Sequence, residues 1–103
     1  MKEIKIKFEA VGNKNTVDDI CNNFYENYPE FSSNMEEEDY KYKSKTKKFM
    51  LLWAGEFEDD ELDDRDMDTL LRLTHHAEGF YEGTNAEYVH VEVCVDGTWY
   101  GTC

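Results

Sequence analysis

The sequence predicts an α+β fold, a small single domain over residues 1–103. An antiparallel or mixed sheet of about four strands is expected to carry two helices packed on one face and to end in a C-terminal β-hairpin. Three observations predict it. Apolar residues alternate at period two near both ends of the chain, two stretches between them repeat at helical spacing, and Asp96-Gly97 is the two-residue signal of a type I′ turn. A chain of 103 residues supports one core, whereas two would each be marginal.

From Lys2 to Ala10 the order places Ile4, Ile6 and Phe8 on one face and Lys5, Lys7 and Glu9 on the other, which is a half-buried strand. Gly12-Asn13 ends it. Thr16 with Asp19 has the form of a capping box, and Val17, Ile20, Cys21, Phe24 and Tyr28 then recur at helical spacing until Pro29 closes the segment. Ser32-Ser33-Asn34 is the one place where disorder is expected.

After a loop through Met35, the chain alternates from Tyr40 to Lys47 with its lysines on one side. It continues into Phe49-Met50-Leu51-Leu52-Trp53, an apolar run of the kind a strand shows when both faces are covered. One long strand and a hairpin broken near Lys47-Lys48 fit these residues equally. Met67, Leu70, Leu71, Thr74 and Ala77 define the second helix, with Asp64 or Asp66 as its cap and Gly79 at its end. Val89, Val91, Val93 and Val95 alternate into the hairpin, which pairs Val95 with Thr98, Val93 with Tyr100, Cys94 with Trp99 and His90 with Cys103.

Charge is the feature that bears on function. Asp and Glu number 24 against 11 Lys and Arg, a formal net charge of −13, beyond the magnitude of about 2 to 8 that solubility asks for. Nine of the thirteen residues from Glu56 to Asp68 are acidic: Glu56, Glu58, Asp59, Asp60, Glu61, Asp63, Asp64, Asp66 and Asp68. A second group, Glu36, Glu37, Glu38 and Asp39, lies upstream, and five lysines are segregated into residues 41 to 48. Such a polyanion disfavours anionic membranes and bare nucleic acid as direct partners and favours a basic protein. An aromatic share of 15% separates it from acidic disordered tails. No apolar run approaches the length of a membrane span and Met1 is followed by no signal-peptide block, so a cytoplasmic protein is expected.

The other chemical candidates are each met by a plainer reading. Cys21, Cys94 and Cys103 have no zinc or disulfide spacing, and a prenylation signal needs Cys where Tyr100 stands. Asp64, Asp66 and Asp68 occupy positions one, three and five of an EF-hand loop, but Thr69 and His75 stand where Gly and Glu are required. His75 and His76 point about 100° apart on a helix and suit a helix end better than a metal or a proton transfer. The lysines interleaved with Tyr40 and Tyr42 fit an edge strand guarded by charge better than a nucleic-acid-binding strand. No catalytic residue, metal or cofactor is expected.

The acid run approaches the charge spacing of a polynucleotide only as a helix or a compact loop. As a helix, its nine charges would occupy about 20 Å, roughly one per 2 Å, near the one per ~1.7 Å of duplex DNA. Fully extended they would spread over about 43 Å, looser than a single strand. Acids crowding the first turn of a helix, where they complement its dipole, are the ordinary explanation of such a run. In acidity and small size the chain resembles the phage and mobile-element proteins that imitate DNA to block restriction or CRISPR enzymes, with no motif shared. That resemblance implies a non-enzymatic inhibitor whose carboxylates replace phosphates in the basic groove of a nucleic-acid-binding enzyme. A small acidic structural or assembly protein, binding a protein partner through the apolar face of its hairpin, is the competing expectation.

Overall fold

The computed structural model describes residues 1–101. Strand β1 (Lys2–Val11) is followed by helix α1 (Lys14–Asn27), a short helix α2 (Pro29–Ser32), strands β2 (Met35–Lys43) and β3 (Lys48–Phe57), helix α3 (Asp64–Arg72), a short helix α4 (Glu78–Tyr81), and strands β4 (Glu87–Val95) and β5 (Thr98–Gly101). The sheet is antiparallel throughout, in the order β2-β3-β1-β4-β5. It therefore has five strands rather than four. The fifth arises because Lys43 and Lys48 pair across a turn, which makes the 40–53 segment a hairpin and not one long strand.

The central strand obeys its alternation. Ile4, Ile6, Phe8 and Ala10 are buried against the helices, and their partners Val93, Val91, Trp53, Leu51 and Phe49 share that face. Phe24 of α1 stacks on Trp53 at 4.2 Å between ring centroids and on Phe80 of α4 at 5.6 Å, while Phe8 meets Phe80 at 5.3 Å. All the helices contribute to this one core. The side-chain amides of Asn23 and Asn27 donate to the carbonyls of Phe80 and Gly79, each at 2.7 Å, and so tie α1 to α4.

Among the described residues no helix lies over the opposite face of β3, contrary to the expectation that both faces are covered. Met50, Leu52 and Ala54 are only half-buried, between Lys5, Lys7 and Glu9 on β1 and Glu36, Asp39 and Lys41 on β2. The aliphatic stems of those lysines shield apolar surface while their charges reach water.

Four local expectations change. The cap of α1 is Asn13, whose side chain accepts from the Thr16 N–H at 2.9 Å, so Thr16 is the buried third residue of the helix and not its cap. The cap of α3 is Asp63, in a reciprocal capping box with Asp66. That helix stops at Arg72, not at Gly79. The N–H groups of Leu73, Thr74 and His75 bond to the carbonyls three residues back, of Leu70, Leu71 and Arg72, and the Thr74 hydroxyl donates to the Leu71 carbonyl at 2.9 Å, so the last turn tightens out of the α ladder. Finally, the Ser32 region is structured, since Phe31 and Ser32 are buried and the Asn34 amide donates to Glu61 at 2.7 Å.

The hairpin follows the sequence reading. Asp96 at φ 49° and Gly97 at φ 86° supply the two positive φ values of a type I′ turn, and Val95–Thr98, Cys94–Trp99 and Val93–Tyr100 are the pairs. The expected His90–Cys103 pair lies outside the described residues.

Candidate functional site

The sheet topology decides where the acids go. Because β2 and β3 are antiparallel, the first residues of β2 lie beside the last residues of β3, with Met35 opposite Gly55 and Glu36 opposite Ala54. The two acidic groups, remote in sequence, thus meet at one end of the sheet. Two bonds and an ion pair fix the turn after β3 there. Glu61 accepts from the Asn34 amide through one carboxylate oxygen and from the Glu58 N–H through the other, and the Met1 ammonium lies 3.6 Å from Asp59. Leu62 is buried and anchors the turn to the core.

The acidic run is not a continuous helix. Glu56 is the last residue but one of β3, Glu58, Asp59, Asp60, Glu61 and Asp63 lie in the turn, and Asp64, Asp66 and Asp68 are on α3. Spacing along a helix axis therefore does not describe it; a compact turn leading into a helix N-terminus does. Asp66 and Asp68 lead away from the end, and Asp39 lies beyond a bulge in β2.

Some of these acids are occupied by the fold itself. Asp63 and Asp66 cap α3, Glu61 holds the turn, and Asp39 accepts from the Tyr40 N–H at 2.9 Å. Glu38 pairs with Lys5 at 3.5 Å, Asp59 with the Met1 ammonium, and Asp68 with Arg72 at 3.2 Å. The dipole explanation thus accounts for the first turn of α3. Glu36, Glu37, Glu56, Glu58, Asp60 and Asp64 remain, all exposed and with no side-chain hydrogen bond or ion pair among the described residues.

The lysines occupy the other end of the same hairpin. Lys43 and Lys48 are opposite one another across the turn that holds Lys45 and Lys47. From Trp53, opposite Glu37, to Lys48 is five residues of strand, about 17 Å at ~3.4 Å each. That separation is twice the ~8 Å Debye length at physiological ionic strength, so the turn lysines do not screen the acids. None of the five lysines from 41 to 48 enters an ion pair among the described residues. Lys2 and Arg65 are the remaining bases near the acidic end, and Lys2 faces Phe57.

Two further acids join this end without any signal in the local sequence. Asp96 accepts from the Glu3 N–H at 2.9 Å and its own N–H donates to the Glu3 carbonyl. Only the pairing of Ile4 with Val95 puts them there.

The remaining chemical candidates stay apart. Cys21 on α1 is half-buried, and burial together with the carboxylates of Glu37 and Asp18 pushes its thiol up to about 11, away from thiolate chemistry. Cys94 is buried on β4, opposite Lys5 of β1. His75 and His76 are exposed just past α3, and His90 lies 3.3 Å from Glu92. Lys7 reaches Glu92 at 3.0 Å; this hydrogen bond raises the lysine and holds the carboxyl below its ordinary value. Among the described residues no three His, Cys, Asp or Glu side chains converge as a metal site, and no helix is long and apolar enough to cross a membrane.

Comparison with family models, curated proteins and solved structures finds no match to this chain.

Proposed function

We propose that the protein is a non-enzymatic acidic inhibitor that inserts its acidic end into the basic groove of a nucleic-acid-binding enzyme, its carboxylates standing where phosphates would lie. The observation that carries this reading is the set of exposed, unpartnered carboxylates gathered at one end of the sheet, with the turn lysines at the other. Glu56, Glu58, Asp60 and Asp64 lead the contact, and Glu36 and Glu37 widen it. A fold whose acids served only solubility gains nothing from leaving them so close and uncompensated. Anti-defence proteins of phages and mobile elements, such as anti-CRISPR and anti-restriction proteins, act in this manner, and their site of action is the host cytoplasm.

Capture from a candidate host lysate at two salt concentrations tests it, followed by competition with duplex DNA. The expected result is a basic nucleic-acid-binding enzyme, retained at low salt, released at high salt, displaced by DNA, and lost when Glu56, Glu58, Asp60 and Asp64 are changed together to Lys. Capture indifferent to salt and to those four changes overturns the proposal. It would favour the second reading, an assembly protein docking through its hairpin. That reading is favoured by Trp99 and Tyr100, each 46% exposed beside a groove of about 520 Å³ between α3 and β5.

A further inference from the structure

Strand β2 is an edge of the sheet, so among the described residues its outer row of N–H and C=O groups has no strand beside it. Its sequence runs from acid to base, Glu36-Glu37-Glu38-Asp39-Tyr40-Lys41-Tyr42-Lys43. Laid antiparallel against itself, such a strand sets acids opposite bases. From this charge complementarity we propose that β2 pairs with β2 of a second copy of this chain, across a two-fold axis beside Tyr40 and perpendicular to the sheet.

The register is dictated by the faces. Residues opposed in an antiparallel pair point to the same side of the sheet, so a two-fold centred on Tyr40 first opposes Asp39 and Lys41. Those two already share the open face, because their β3 partners are Leu52 and Met50. Beyond them the bulge at Glu38 removes one residue from the count, so Glu37 meets Tyr42 and Glu36 meets Lys43. Both pairs again match in face. Glu37 and Tyr42 lie opposite Trp53 and Phe49 on the helix side, while Glu36 and Lys43 lie opposite Ala54 and Lys48 on the open side. The symmetry repeats each contact, so Asp39–Lys41 and Glu36–Lys43 pairs form on both sides of the axis.

Two features of the single chain are resolved by this pairing. Lys43 stands directly opposite Lys48, an unfavourable like-charge pair, and both line with Lys41 a cleft of about 240 Å³ in which Glu9 is the one acid among the described lining residues. The second copy brings Glu36 to Lys43 and Asp39 to Lys41. In addition, the Tyr40 N–H donates to the carboxylate of its neighbour Asp39 at 2.9 Å, a bond within β2 that a second strand's carbonyl would replace while freeing Asp39 for Lys41. The other edge, β5, has no such pattern among its described residues, Thr98–Gly101. Glu36 and Glu37 are then both in the seam, so in the paired state the enzyme contact proposed above falls to Glu56, Glu58, Asp60 and Asp64, none of which is on β2.

Sedimentation of the full chain at physiological ionic strength tests the proposal, since the ~8 Å Debye length leaves contact pairs acting and screens repulsion between the two bodies. The expected species has twice the 12.2 kDa chain mass. Variants Glu36→Lys/Asp39→Lys and Lys41→Glu/Lys43→Glu should each be monomeric, and their equimolar mixture, which carries the total charge of two unmodified chains, should recover the dimer. Oxidative dityrosine cross-linking of the unmodified chain, read by peptide mass spectrometry, should join Tyr40 to Tyr40. A monomer at millimolar concentration, dimers indifferent to either charge change, a mixture that stays monomeric with both variants folded by circular dichroism, or cross-links that omit Tyr40 would each overturn it.

Discussion

Asp63 and Asp60 are three residues apart and carry the same charge, yet the structure gives them opposite employment, and substituting each separates the fold's need for acids from a partner's. Asp63→Ala removes the acceptor for the Asp66 N–H at 2.8 Å and leaves the Asp63 N–H, now 3.3 Å from the Asp66 carboxylate, without a reciprocal box. Loss of such a cap costs about 1 kcal/mol, within a range of roughly 0.5 to 2. Glu58→Gln and Asp60→Asn remove exposed charges without internal partners, so together they should move stability by no more than about 0.5 kcal/mol. Urea unfolding followed by the fluorescence of Trp53, which sits fully buried in the aromatic core, reads both. Target capture should rank them the other way, with Asp63→Ala close to the unmodified chain and the Glu58→Gln/Asp60→Asn pair weakened. If the exposed pair proves as costly to the fold as the cap, or the cap as costly to capture as the pair, the division of these acids into structural and presented groups is wrong.

Three other expectations follow from the same structure. Tyr88 is 85% exposed and held at φ 55° in the bulge between β1 and β4, so Tyr88→Gly should stabilise by roughly 0.5 to 1 kcal/mol in urea unfolding, whereas Asp96→Gly, at φ 49°, should not, because it loses the bond to the Glu3 N–H. The Cys21 thiol, raised from 9.0 to about 11, should alkylate about a hundredfold more slowly at neutral pH than an ordinary exposed thiol, as measured by peptide mass spectrometry; an equal rate would contradict its burial. The Lys7–Glu92 pair should add stability that is present above the ordinary carboxylate pKa and is lost as pH falls through the depressed value of Glu92; on the basic side it persists until pH passes the raised value of Lys7. A urea midpoint with the same acid limb in Glu92→Gln would refute this.

The strands were legible where one face alone is buried, since period-two alternation in β1 and in β4 leaves a single assignment of faces. The 40–53 segment was not, because an apolar run following an alternating one has no internal mark of a turn when the turn residues are Ser, Lys and Thr. Helix ends were the weakest part. The propensities of Asn13 and Asp63 to cap are shared by their neighbours, and the stop at Arg72 is a backbone switch to bonds three residues back, with no Gly or Pro to mark it. The acids could be named from sequence, but not their neighbourhood. That Glu36 and Glu56 occupy one end depends on β2–β3 register, and the addition of Glu3 and Asp96 depends on β1–β4 pairing, neither of which has a local signal.

Segregating charge by strand end has a consequence for the free protein that runs opposite to its consequence for binding. Ten-residue strands reach about 30 Å, which the 42 Å axis of the molecule accommodates and its 24 and 23 Å axes do not, so the acids and the turn lysines lie toward opposite poles. Within the acidic pole the carboxylates repel one another at distances shorter than a Debye length in dilute buffer, while attraction from the lysine pole acts over a longer path and is screened first. Added salt should therefore raise the unfolding midpoint of the free chain over the range in which it weakens capture. A chain whose acids were merely compensated by nearby lysines would lose stability with salt as its ion pairs weakened. Thermal unfolding of the free protein across a sodium chloride series distinguishes the two, and a midpoint that falls with salt would place the lysines close to the acids and remove the charged pole on which partner recognition depends.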